Sequence, residues 1–206
     1  NQSVDHPSPP TRSARAQSLL FVPGSRPDRF AKALDTGADI VCVDLEDSVA
    51  EGDKESARAA ALAAIADHRE GRLALRINGI ATRAGLADLL AIADAEVPPP
   101  ILLLPKVESE TEVALVGSVL GSRDIALVPL VESPKGLRAA DRIAAAPSVC
   151  AMMFGGGDFS SELGVALEWE PLLGARSQFL LACAEIGIPA IDVPFIRLGD
   201  AAGLEE

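Results

Sequence analysis

Tyrosine is absent from this 206-residue chain, and aromatic residues of all kinds make up only 3% of it. Whatever core the chain builds is therefore aliphatic. Basic residues are scarce as well: 18 Lys and Arg face 30 Asp and Glu, a net charge of −12. A nucleic-acid binder needs a basic, counterion-releasing face, so that class is excluded, and an anionic membrane surface is excluded with it. No apolar run approaches the roughly 20 residues needed to cross a bilayer. Of the three cysteines, Cys42 and Cys150 fall in strand patterns and Cys183 in a helical one, with no CxxC spacing. That pattern predicts reduced core thiols in a cytoplasmic protein. There are only two histidines, His6 in a polar tail and His68 at a helix end, which argues against a Ser-His-Asp triad or a His-rich zinc site. An initiator Met and a signal-peptide pattern are missing too, so the chain is expected to begin inside a longer one. Neither G-x-G-x-x-G after the first strand nor a Walker A loop is found.

What is present is a regular alternation of apolar strands and amphipathic helices. Residues 1–17, with Pro7, Pro9 and Pro10, read as a flexible arm, and 18–206 as one domain. Strands are predicted at Leu19–Val22, Ile40–Leu45, Leu73–Asn78, Ile101–Leu104, Ile125–Val131, just before Gly155, and at Pro189–Phe195. Helix starts are signalled by Ser25 with Pro27, by Asp53, by a Ser109/Glu112 capping box, by Ser133-Pro134 and by Glu170-Pro171. Leu86, Leu89, Leu90 and Ala93 are expected to face inward from one helix. The last helix should present Leu172, Leu173, Arg176, Phe179, Leu180 and Cys183 on one side and stop at Gly187. Units of strand then helix imply parallel strands joined by right-handed crossovers, covered on both faces.

Two architectures satisfy that pattern, a (β/α)8 barrel and an open doubly wound sheet. Almost every strand ends in a charge or a sharp turn: Gly24 with Arg26, Asp44 with Glu46 and Asp47, Arg76 with Asn78, Lys106 with Glu108, then Glu132, Asp158 and Asp192. A closed barrel brings all its strand ends around one mouth, whereas an open sheet uses one switch point. The barrel is the expectation, with seven of its eight units visible. The organising stretch is AMMFGGGDFSSELG, Ala151 to Gly164, where three glycines let backbone approach whatever Asp158 holds.

Glu132 and Asp158 end adjacent strands with no histidine or thiolate nearby, a donor set that suits a hard cation such as Mg²⁺. Glu46 or Asp47 could orient metal-bound waters. Arg76, inside the strand LALRIN, needs a partner: Asp44 or Glu46 structurally, or a substrate carboxylate or carbonyl oxygen. An ion and an arginine facing one pocket is what stabilising an enolate requires while a carbon–carbon bond breaks or forms.

The segments FVPGSRPDRF, VDLEDSV, LRIN, LLPKVES, VPLVESPKG and FGGGDFSSELG, in this order, resemble the citrate lyase beta-subunit branch of the HpcH/HpaI aldolase family. The resemblance implies a TIM-barrel lyase that cleaves citryl-, malyl- or citramalyl-CoA to acetyl-CoA and an oxoacid with Mg²⁺ (or Mn²⁺), as a homotrimer or hexamer. It implies Glu132 and Asp158 as metal ligands, and Arg76 and Glu132 against substrate, the three forming the catalytic set. It also implies Asp44, Glu46 and Asp47 near the metal waters, and Pro23, Gly24 and Arg26 near the CoA moiety. Many relatives carry glutamate before the second metal ligand, where this chain has Gly157. Relatives also continue into an eighth strand and a C-terminal segment, so the chain is expected to be incomplete there. Two other functions stay open: a CoA-independent pyruvate-type hydroxy-oxoacid aldolase, and a non-catalytic acyl-CoA-binding subunit.

Overall fold

A computed structural model describes residues 16–68, 71–195, 199–200 and 202–203. Most of the expected N-terminal arm, 1–15, lies outside them. Seven strands form one all-parallel sheet in sequential order. They are β1 (Leu19–Pro23), β2 (Ile40–Asp44), β3 (Leu73–Arg76), β4 (Ile101–Leu104), β5 (Ala126–Val131), β6 (Met152–Phe154) and β7 (Ala190–Ile191). Predicted and observed strands coincide within a residue or two, except that β7 is two residues long where seven were expected. The connecting helices are α1 (Phe30–Leu34), α2 (Lys54–Asp67), α3 (Arg83–Asp94), α4 (Glu110–Leu120), α5 (Pro134–Arg138), α6 (Ala140–Ala144), α7 (Gly156–Leu163) and α8 (Trp169–Ile186).

Side chains alternate between the two faces of a strand, and here each face has its own core. Val41, Val43, Leu73, Leu75, Leu102, Leu104, Leu127 and Val131 meet the helices in the larger one. The other face gathers Cys42, Ala74, Leu103, Val128, Leu130 and Met153, with Phe21 of β1 and Ile191 of β7 packed against them. Contributions from first strand to last in a single inner cluster mean that the sheet is curled. Among the described residues β1 pairs only with β2, and β7 only with β6.

The capping box at Ser109 and Glu112 forms, and Ser133 caps α5 by accepting from the Gly136 amide at 3.0 Å. Gly187 ends α8 at φ 80°, in the left-handed region that favours glycine. Three helix expectations need correction. Ser25 does not cap: the chain enters α1 through a 3₁₀ turn at Pro27–Arg29, with Arg26 at its cap position and no side-chain cap bond. Asp53 does not cap with its side chain, and α8 starts at Trp169 behind Glu168, which makes no side-chain cap bond, rather than at Glu170. Leu86, Leu90, Leu173 and Leu180 are exposed, while Leu89, Ile92, Leu172, Phe179 and Cys183 fill the core. No helix among the described residues is long and apolar enough to cross a membrane.

Candidate functional site

The two-residue period of the strands decides which polar groups reach the inner face. On β2 the inward set that contains Cys42 ends at Asp44; on β3 the set with Ala74 ends at Arg76. On β5 the set with Val128 and Leu130 continues to Glu132. All three therefore stand above the apolar plug of the curled sheet, at its C-terminal end. Asp44 and Arg76 are direct register partners.

Arg76 is the hub on one side. Its Nε donates to Asp44 Oδ1 at 2.7 Å, its Nη1 lies 3.2 Å from Glu46 Oε2, and its Nη2 lies 3.8 Å from Asp47 Oδ2. The guanidinium also sits over the Phe21 ring, 5.1 Å from its centroid. Burial opposes the Asp44 charge, yet the Arg76 hydrogen bond and charge, with Ser48 and the Glu46 amide, hold that carboxyl below its usual range. Burial likewise opposes the Arg76 cation, and Asp44 raises it despite that. The loop of Leu45, Glu46 and Asp47 after β2 is held by Lys54, whose Nζ donates to the Leu45 and Glu46 carbonyls, each at 2.9 Å. Gly24 allows the loop's close approach: its amide donates to the Asp44 carbonyl at 2.8 Å, and a Cβ there would crowd that oxygen and Leu45.

Lys106 is the hub on the other side. Its backbone amide donates to Glu132 Oε2 at 2.8 Å. Its Nζ reaches Glu46 Oε1 at 2.9 Å, Asp158 Oδ2 at 3.2 Å and Asp47 Oδ1 at 3.7 Å. Asp158 stands in the first turn of α7, where the helix dipole favours an acid. Gly155, just before that helix, leaves room for Glu132; a Cβ there would overlap the glutamate's carboxyl end. Burial first, then repulsion from Glu46 and Asp158, pushes the Glu132 carboxyl up to about 7. Burial also raises Glu46, against the pull of Lys106 and Arg76. Glu46 Oε2 is buried with no hydrogen-bond partner, despite its contact with Arg76.

Lys106, Glu132 and Asp158 line a cavity of about 320 Å³, with Glu108, Ser133 and Ser161 among its other walls. Glu108 is occupied at the rim by Ser133 Oγ at 2.9 Å and Lys135 Nζ at 2.7 Å. Among the described residues, no three His, Cys, Asp or Glu side chains converge as a metal cage.

The structure thus brings Asp44, Glu46, Asp47, Arg76, Glu132 and Asp158 into one connected cluster. Other strand-end residues are spent locally. Arg26 forms a two-pronged pair with Asp28 at 2.9 and 2.8 Å, and Asp192 pairs with Arg176. Asn78 turns to Asp88, a fully buried acid that also accepts from Arg58 at 2.6 Å. Sequence reasoning noted Lys106 only as a strand end and overlooked Asp88. The signal for Lys106 was its place just past β4, among the charged strand ends.

Residues 17–205 match the HpcH/HpaI aldolase/citrate lyase family. The L-malyl-CoA/beta-methylmalyl-CoA lyase of Cereibacter sphaeroides is 32% identical over 96% of this chain and 71% of its own length. The citrate lyase subunit beta-like protein of Mycobacterium tuberculosis is 36% identical over 94% of this chain and 69% of its own. RipC from Yersinia pestis is similar in structure with a TM-score of 0.81 and 40% identity, over 93% of this chain and 82% of that one. CitE from Mycobacterium tuberculosis, crystallised with magnesium, acetoacetate and coenzyme A, gives a TM-score of 0.81 at 34% identity, over 93% and 71%. A curled parallel sheet, charged strand ends gathered at one end of it, and likeness across nearly the whole chain lead to one assignment: the chain belongs to the HpcH/HpaI aldolase/citrate lyase family and is a lyase.

Proposed function

We propose that the chain is a Mg²⁺-dependent carbon–carbon lyase that cleaves or forms a 3-hydroxy-acyl-CoA, and that its curled sheet is seven strands of a (β/α)8 barrel. The observation that carries this reading is the meeting of Glu132, Asp158 and Arg76 in one cluster beside a cavity. The donor set fits the metal. Among the described residues, five carboxylates, Asp44, Glu46, Asp47, Glu132 and Asp158, share two cations, Arg76 and Lys106. The carboxyl of one of the five, Glu132, is pushed up to about 7, and another, Glu46, keeps a buried oxygen without a hydrogen bond. All the donors are oxygens, as a hard divalent ion prefers. Glu132 and Asp158 would hold the ion, with Glu46 and Asp47 placed to orient its waters. Bound there, the ion would supply positive charge against a developing oxyanion.

In the cleavage direction the 3-hydroxyl loses its proton and the C2–C3 bond breaks. Its electron pair passes to the thioester enolate, which then takes a proton at C2. Arg76 suits the oxoacid half. Asp44 and Glu46 fix its Nε and Nη1, while Nη2 has only the 3.8 Å contact with Asp47. That leaves N–H groups for a carbonyl or carboxylate oxygen. A preorganised donor of this kind typically contributes on the order of a hundredfold in rate. By the family resemblance Pro23, Gly24 and Arg26 would lie on the CoA side of the mouth, where Arg26 would have to leave Asp28 to meet the ligand.

Gly157 favours a second reading, a CoA-independent aldolase that releases pyruvate, because glutamate stands there in many members of the family and the glycine form resembles its pyruvate-aldolase branch. A Cβ at Gly157 would meet nothing within 4 Å, so packing does not impose the glycine. The two readings separate in one assay. Purified protein is offered citryl-, malyl- and citramalyl-CoA and, in parallel, a CoA-free 4-hydroxy-2-oxoacid. Turnover of a thioester that EDTA abolishes and Mg²⁺ restores is expected. Turnover of the free oxoacid alone would favour the second reading, and turnover of either surviving full chelation would overturn both.

A further inference from the structure

We infer that Lys106 is a built-in counter-cation that competes with the divalent ion for Asp158 and Glu46, and so sets how tightly this site takes its metal. The inference rests on the metal reading above and concerns a residue to which that reading gives no role. The ammonium sits between two acids that come from different strand ends, 2.9 Å from Glu46 Oε1 and 3.2 Å from Asp158 Oδ2. Its own backbone amide holds Glu132 Oε2 at 2.8 Å. One residue therefore grips both proposed ligands, Glu132 by its amide and Asp158 by its charge. An ion that binds both carboxylates must share Asp158 with an ammonium already 3.2 Å from its Oδ2, and two cations on one carboxylate repel each other.

The backbone supports a purpose for this arrangement. Lys106 has φ 55°, one of only two non-glycine residues with positive φ among those described. Side chains with a Cβ avoid that region, and such outliers gather at functional sites. Here the turn points amide and side chain at the same acidic cluster. The Lys106 side chain is half exposed, at 50%, and lines the cavity, so its four-carbon stem can swing toward solvent without unpacking a core. Its ion pairs are correspondingly modest, and the competition should be measurable rather than absolute.

The test is Mn²⁺ binding to the full chain, followed by calorimetry and by the loss of the free-ion paramagnetic resonance signal, with no substrate present. Lys106→Met keeps the stem and the backbone demand but removes the charge. It should bind Mn²⁺ at least fivefold more tightly than wild type, and its melting temperature should rise more on metal addition. Lys106→Arg, which keeps a cation, should stay within about threefold of wild type. Equal or weaker binding by a folded Lys106→Met protein would overturn the inference. The metal reading is judged separately: Asp158→Asn should weaken Mn²⁺ binding at least a hundredfold. If it does not, the reading fails even where Lys106→Met behaves as expected. Absence of Mn²⁺ binding in wild type and Lys106→Met alike would overturn both.

Discussion

Replacing Glu132 by glutamine should make the metal-free protein more stable, and increasingly so with rising pH. Glu132 is 7% exposed, and burial with the charges of Glu46 and Asp158 moves its carboxyl from 4.5 to about 7. Below pH 4.5 the group is neutral folded or unfolded and carries no penalty. Between 4.5 and 7 folding takes up a proton, and above 7 the fold carries a buried, repelled charge. Stability present at low pH is therefore lost as pH rises through about 7. The interval corresponds to about 3 kcal/mol at about 1.4 kcal/mol per pH unit. For a 206-residue chain that is about 6–12 °C in melting temperature. Melting wild type and Glu132→Gln in EDTA from pH 5 to pH 8.5 measures the difference directly, and other carboxylates largely cancel. The two should nearly coincide at pH 5, and the variant should melt higher at pH 8.5. Saturating Mg²⁺ should stabilise wild type and barely affect the variant. Parallel curves, or a variant that melts lower at alkaline pH, would refute the placement of Glu132 in a crowded acidic site.

Arg76→Ala removes the partner of Asp44, which is only 3% exposed, and should cost about 3–5 kcal/mol in urea denaturation. Arg76→Lys should recover only part of that, since one ammonium cannot span Asp44 and Glu46. Asp88→Ala leaves the Asn78 amide, the Asn78 side chain and Arg58 without their shared acceptor. It should also cost about 3–5 kcal/mol by the same measurement, and a loss under 1 kcal/mol would contradict the burial. Gly155→Ala places a Cβ against the Glu132 carboxyl; circular dichroism should show the fold retained while Mg²⁺ affinity by calorimetry falls at least tenfold.

Asp44, Arg76 and Glu132 were legible from sequence because each is a charge at the C-terminal end of an apolar strand run; that all three turn to the inner face is decided by the strands' alternation in the structure. The capping box at Ser109 was legible for a similarly local reason: both partners lie within one turn. What required coordinates was anything decided by a distant neighbour. Leu86, Leu90, Leu173 and Leu180 fit a helical stripe, yet a stripe does not say how wide the covered face is, and these four lie outside it. Lys106 is legible only as one more strand-end charge, and its contacts with Glu46 and Asp158 depend on residues that arrive from other strand ends. Asp88 reads as a surface acid on α3, although Asn78 and Arg58 bury it completely. Sequence also placed Arg26 and Asp192 with the strand-end charges, whereas short-range partners hold both.

The most direct measurement is anomalous diffraction from crystals soaked in Mn²⁺. One peak about 2.1 Å from a carboxylate oxygen of Glu132 and from one of Asp158 is the predicted result, with the Lys106 ammonium displaced from Asp158. A peak that touches only one of the two carboxylates, or that lies away from both, would contradict it.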